Sequence, residues 1–92
     1  MEIVYSKQAV KDLKSIQKQE AIKIMEQIAK LPLGDVKALQ GSEGQRYRLR
    51  VGRYRALFYY LENDIIIYKV APRSKIYKGD YLWLQQHKKR MY

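Results

Sequence analysis

The chain has 92 residues with 19 Lys plus Arg against 9 Asp plus Glu, for a formal charge of +10. That size allows one core and no second, which excludes a multidomain enzyme, and 47% hydrophobic content sets the chain apart from a disordered polycation. Cysteine is absent and His87 is the only histidine, so thiol chemistry, a thiolate metal site and a Ser-His-Asp triad are excluded, and no metal site or cofactor is expected.

Glu2 to Tyr5 alternates weakly and suggests a first strand. Ser6 is a good N-cap, and Ala9, Val10, Leu13 and Ile16 or Gln17 follow at helical spacing. A second stripe through Ala21, Ile24, Met25, Ile28 and Leu31 reads as core and ends at Pro32 and Gly34. The polar Gln17-Lys18-Gln19 between them fits either a helical hairpin, which is favoured, or one bent helix. Asp12, Glu20 and Glu26 read as helix-surface charges.

Asp35 to Gly44 carries Gly, Ser and scattered charge and reads as a loop. From Gln45 the period changes to two, with Arg46, Arg48 and Arg50 alternating with Tyr47, Leu49 and Val51. Gly52-Arg53 is the signature of a two-residue type II′ hairpin turn. Tyr54 to Leu61 and Ile65 to Ala71 form two further strands about a turn at Glu62-Asn63-Asp64, both apolar on two faces, and Pro72 stops the pairing. Ile76, Tyr77, Tyr81 and Leu84 could line a short C-terminal helix, with Trp83 docking it. The end His87-Lys88-Lys89-Arg90 is a solvated basic run.

The charge is uneven. Residues 1–44 hold seven Lys against six acids, whereas residues 45–92 hold seven Arg and five Lys against three acids, together with eight of the nine Tyr. Arginine forks match phosphate geometry and stack on planar groups, so this concentration suggests a nucleic-acid partner. If Gly52-Arg53 is the turn, Arg50 faces Arg55, and Arg46, Arg48, Arg50 and Arg55 share one face with Tyr59, Tyr68 and Val70. Like charges directly opposed cost about 0.2–1 kcal/mol, a cost that folding alone does not favour and a polyanion relieves.

Tyr47-Arg48-Leu49-Arg50-Val51-Gly52-Arg53-Tyr54-Arg55, then Tyr68-Lys69-Val70-Ala71-Pro72-Arg73 and Tyr77, resemble the RelE/ParE superfamily of bacterial and archaeal toxins. The resemblance extends over essentially all of residues 1–92, as one RelE-like domain. It implies an α+β fold: an N-terminal strand and a helical hairpin packed on a mainly antiparallel four-stranded sheet, with a short C-terminal helix. RelE-like members cut mRNA in the ribosomal A site and ParE-like members poison DNA gyrase, and the Arg73 and Tyr77 pair points to the RelE branch. The implied reaction is metal-independent attack of a ribose 2′-hydroxyl on the adjacent phosphate, leaving a 2′,3′-cyclic end. The implied catalytic set is Arg48, Arg50, Arg55, Arg73 and Tyr77, with Arg46, Arg53, Lys69 and Lys75 binding RNA.

Where some RelE-like enzymes carry Lys, this chain has Arg48 and Arg50, and guanidinium is a poor base. Tyr77, Lys69 and Lys75 are the proton-transfer candidates, and the base stays unassigned. The implied partners are a cognate antitoxin, A-site mRNA and 16S rRNA. No basic leader or long apolar segment is present, so no membrane is involved and a cytoplasmic location is expected. A gyrase inhibitor and a non-catalytic RNA-binding module are the alternatives.

Overall fold

A computed structural model of the chain describes residues 1–39 and 45–76. Strand β1 (Ile3–Tyr5) leads into helices α1 (Lys7–Ser15) and α2 (Lys18–Ile28), followed by strands β2 (Val36–Leu39), β3 (Arg46–Val51), β4 (Tyr54–Leu61) and β5 (Asp64–Pro72) and a 3₁₀ turn at Arg73–Lys75. The strands form one sheet in the order β1-β5-β4-β3-β2, with β1 parallel to β5 and every other pair antiparallel.

Helix α1 begins and ends for a local reason. The Ser6 hydroxyl accepts from the Ala9 amide at 3.1 Å and caps α1. Ile16 leaves the helix with φ −94° and ψ 147°, so α1 and α2 form the expected hairpin and not one bent helix. Ala9, Leu13, Ala21, Ile24 and Ile28 pack on Leu49, Ala56, Phe58, Ile65, Ile67 and Val70 of the sheet. Phe58, Ile24 and Ile67 are fully buried, and each such side chain contributes roughly 1.5–3 kcal/mol through the hydrophobic effect. Met25, expected in this stripe, is 44% exposed, because only Ala21, Ile24 and Ile28 of α2 face the sheet.

The sheet has five strands and not four. The additional one, β2, lies inside the expected loop and pairs its Lys37 with Arg48. The β3–β4 hairpin has the expected register: Arg50 opposes Arg55, Arg48 opposes Leu57, and the loop is Gly52-Arg53 with the positive φ (59°) on Gly52. Beyond it the register differs from expectation. A bulge between Leu57 and Phe58 sets Phe58 opposite Ile67 but Leu57 opposite Lys69, so Tyr68 is the extra residue. That one-residue shift turns Val70 into the helix-side core, whereas Tyr68 keeps its place beside Tyr59 with ring centroids 5.8 Å apart.

Ser6 and the α1 residue Asp12 complete the edge of β5 where β1 stops. Ser6 donates its amide to the Ile67 carbonyl and its hydroxyl to the Tyr68 carbonyl, and the Asp12 carboxylate accepts from the Val70 amide at 2.9 Å. Asp12 is thus a strand-edge cap and not a free surface charge. Beyond Ile76, the expected C-terminal helix with Tyr77 and Trp83, and the basic end that begins at His87, lie outside the described residues.

Candidate functional site

The face of the sheet turned away from the helices carries a groove of about 380 Å³ lined by Lys37, Arg48, Arg50, Arg55, Leu57, Arg73 and Ile76. Strand alternation delivers Arg48 and Arg50 from β3, and cross-strand pairing sets Arg55 and Leu57 of β4 against them. Arg73 arrives from the turn after Pro72, where its amide donates to the Arg53 carbonyl at 2.9 Å and ties the end of β5 to the hairpin. Leu57, fully buried, and Ile76 supply the apolar part.

The groove is organised around Arg55, which is only 8% exposed. Its Nη1 donates to the carbonyls of Gly52 and Tyr54, both at 3.0 Å, so the side chain braces the hairpin turn. Burial, and then the charges of Arg50, Arg48 and Arg73, push its guanidinium below the ordinary arginine value, with Asp35 acting in the other direction. Guanidinium does not lose its proton in a protein, so the strain is expressed as unmet demand for an anion. Arg48 donates to the Asp35 carbonyl at 3.3 Å and lies 3.6 Å from its carboxylate. Among the described residues, Arg50, Arg55 and Arg73 have no carboxylate partner.

Arg46 lies on the same face, its guanidinium 4.8 Å from the centre of the Tyr59 ring, outside the groove lining. Arg53 is turned to the other side. Its guanidinium donates to the Tyr54 hydroxyl, which donates to Glu20 of α2 at 2.8 Å, and it stacks on the Tyr54 ring at 5.1 Å. Lys69 and Lys75 line a separate cleft beside α1 with Asp12, Ile16 and Tyr54. Of the nine expected site residues the structure thus gathers Arg48, Arg50, Arg55 and Arg73, places Arg46 beside them, sets Arg53 and Lys75 apart, pairs Lys69 with the groove residue Leu57 although Lys69 borders the second cleft, and does not describe Tyr77. The sequence reading missed Lys37, which enters through the unanticipated β2, and Asp35, which precedes it. No cluster of metal-ligating side chains occurs among the described residues.

Residues 3–77 match the family of the ParE toxin of type II toxin–antitoxin systems, and the chain belongs to that family, within the RelE/ParE superfamily. It is similar to solved structures of RelE toxins. The RelB–RelE antitoxin–toxin complex from Methanococcus jannaschii is 32% identical, covering 83% of this chain and 96% of that one, with a TM-score of 0.60. The archaeal RelE–RelB complex from Pyrococcus horikoshii is 28% identical over 82% of this chain and 97% of that one, with a TM-score of 0.64. The Escherichia coli DinJ–YafQ toxin–antitoxin complex shares the fold, with a TM-score of 0.67 at 20% identity over 82% of this chain and 94% of that one. Among curated proteins, none matches the sequence.

Proposed function

We propose that this toxin is a ribosome-dependent mRNA endoribonuclease that blocks translation in the cytoplasm, with the arginine groove holding the scissile phosphate. The observation that carries this reading is Arg55, a buried cation surrounded by three further arginines and without a carboxylate of its own. An RNA phosphate satisfies such a site, and guanidinium donors aimed at a phosphorane are a large source of transition-state stabilisation. Arg48, Arg50 and Arg73 bind and stabilise the phosphate, and Arg55 fixes the hairpin and adds charge. Arg46 on Tyr59 extends the track for neighbouring phosphates or bases of mRNA and 16S rRNA. Tyr77, next in sequence to the groove residue Ile76, serves as a stacking platform or hydroxyl donor.

Three features support the reading: the groove chemistry, the Arg73 and Tyr77 pair, and the likeness to RelE at 28–32% identity. The solved relatives are complexes with antitoxins, which supports a cognate antitoxin as the partner that restrains this chain. A second reading, inhibition of DNA gyrase, is favoured by the ParE description of the matching family. Purified chain added to ribosomes programmed with a defined mRNA decides between them. Cuts at the A-site codon, lost in Arg73→Ala, are expected; intact mRNA together with inhibited gyrase supercoiling overturns the first reading in favour of the second.

A further inference from the structure

The arginines of the groove can hold a phosphate but cannot move protons, and strand cleavage requires both a base and an acid. Of the earlier candidates, neither Lys69 nor Lys75 lines the groove, and both border the cleft beside α1. Two further described groups can exchange a proton, and both flank Arg48. Lys37 lines the groove and stands opposite Arg48 in the β2–β3 register. Asp35 sets its carboxylate 3.6 Å from Arg48 Nη1.

The backbone holds this pair firmly. Gly34, at φ 115°, allows the tight turn in which its carbonyl accepts from the Val36 amide at 3.0 Å, with Asp35 at the centre. The Asp35 carbonyl then accepts from the Arg50 amide at 3.0 Å and from Arg48 Nη1, so the residue is pinned to β3 while its side chain stays 58% exposed. The charged groups around it are Lys37 two residues further on, Arg48 and Arg50 on β3, and Arg55 on β4.

We infer that Asp35 and Lys37 are the acid–base couple of the reaction, an inference that rests on the ribonuclease reading above. With the phosphate on Arg48, the Asp35 carboxylate takes the proton of the ribose 2′-hydroxyl as the 2′-oxygen bonds to phosphorus. The bond from phosphorus to the 5′-oxygen breaks, and the Lys37 ammonium gives that oxygen its proton. The products are a 2′,3′-cyclic phosphate and a free 5′-hydroxyl. The enzyme is left with a carboxylic acid and an amine, which exchange protons with water to restore the starting state.

The test is single-turnover cleavage by purified full-length chain on programmed ribosomes across the pH range in which they remain intact. Asp35→Asn and Lys37→Gln, both at exposed positions, are each expected to slow cleavage of ordinary mRNA about a hundredfold or more. Two readouts separate chemistry from structure. In Asp35→Asn the rate climbs about tenfold per pH unit as hydroxide replaces the carboxylate, where the parent rate is level; a purely structural loss lowers the profile without changing its shape. On mRNA with sulfur in place of the scissile 5′-oxygen, whose thiolate leaves without a proton, Lys37→Gln regains the parent rate and Asp35→Asn does not. Failure of either signature overturns the role of that residue. Arg73→Ala, run alongside, distinguishes the two levels: inactive Arg73→Ala with fully active Asp35→Asn and Lys37→Gln removes the couple and leaves the ribonuclease reading, whereas fully active Arg73→Ala removes both.

Discussion

Arg50 stands directly opposite Arg55 across β3 and β4, on the sheet face turned away from the helices. Like charges in that relationship cost about 0.2–1 kcal/mol, so Arg50→Gln is expected to raise stability by a similar amount while weakening RNA cleavage. Urea denaturation of both proteins checks the first half. A binding anion removes the same repulsion, so sulfate should raise the melting temperature of the parent more than that of Arg50→Gln.

Arg55 and Arg73 differ in what they hold. Arg55 is buried and bonds two turn carbonyls, so Arg55→Ala leaves those groups without their partner and is expected to lower stability by about 1–3 kcal/mol as well as abolish cleavage. Arg73 is exposed and joins the hairpin through its backbone amide, which Arg73→Ala retains. Its stability should match the parent while cleavage falls about a hundredfold, the loss expected for one oriented donor to the phosphorane. Paired denaturation and cleavage measurements show the contrast, and equal destabilisation of the two variants contradicts it.

Asp12 takes the place of a neighbouring strand for the Val70 amide. Asp12→Ala leaves that partly buried donor unmatched, at a cost of about 1–3 kcal/mol, whereas Asp12→Asn keeps an acceptor and recovers most of it. Faster hydrogen exchange at Val70 in Asp12→Ala alone is the diagnostic reading.

Gly34 combines φ 115° with close packing: a Cβ there meets Leu49 Cδ1 at 3.0 Å. Gly34→Ala is therefore expected to destabilise the chain by about 1–3 kcal/mol and to displace Asp35. By contrast Gly52, with φ 59°, has open space around its Cβ position, so Gly52→Ala bears the backbone strain without a steric clash and is expected to cost less than Gly34→Ala. Comparing the two denaturation midpoints tests the difference.

The β3–β4 hairpin, and with it four groove residues, was legible because each signal was local. Arg and apolar residues alternate at period two, and Gly52 marks the turn that fixes the register. Strand β2 was not legible, because Val36–Leu39 is a four-residue edge whose order comes from pairing with β3; Lys37 was hidden with it. The bulge at Tyr68 has no glycine to announce it, so strict alternation misplaced Val70. Helical spacing located Asp12 and Glu20 on their helices but could not show that one reaches β5 and the other Tyr54. Arg53 follows the same rule: its position in the turn was clear, and its rotation toward α2 depends on a residue 33 positions earlier.

The most direct test of the central claim is to map mRNA 5′ ends and gyrase-linked DNA breaks in the same bacterial cells after expression of the chain. The account predicts growth arrest with new mRNA ends inside translated codons, and loss of both the ends and the arrest in Arg73→Ala. Arrest with intact mRNA and accumulated gyrase-linked breaks, or arrest undiminished in Arg73→Ala, contradicts it.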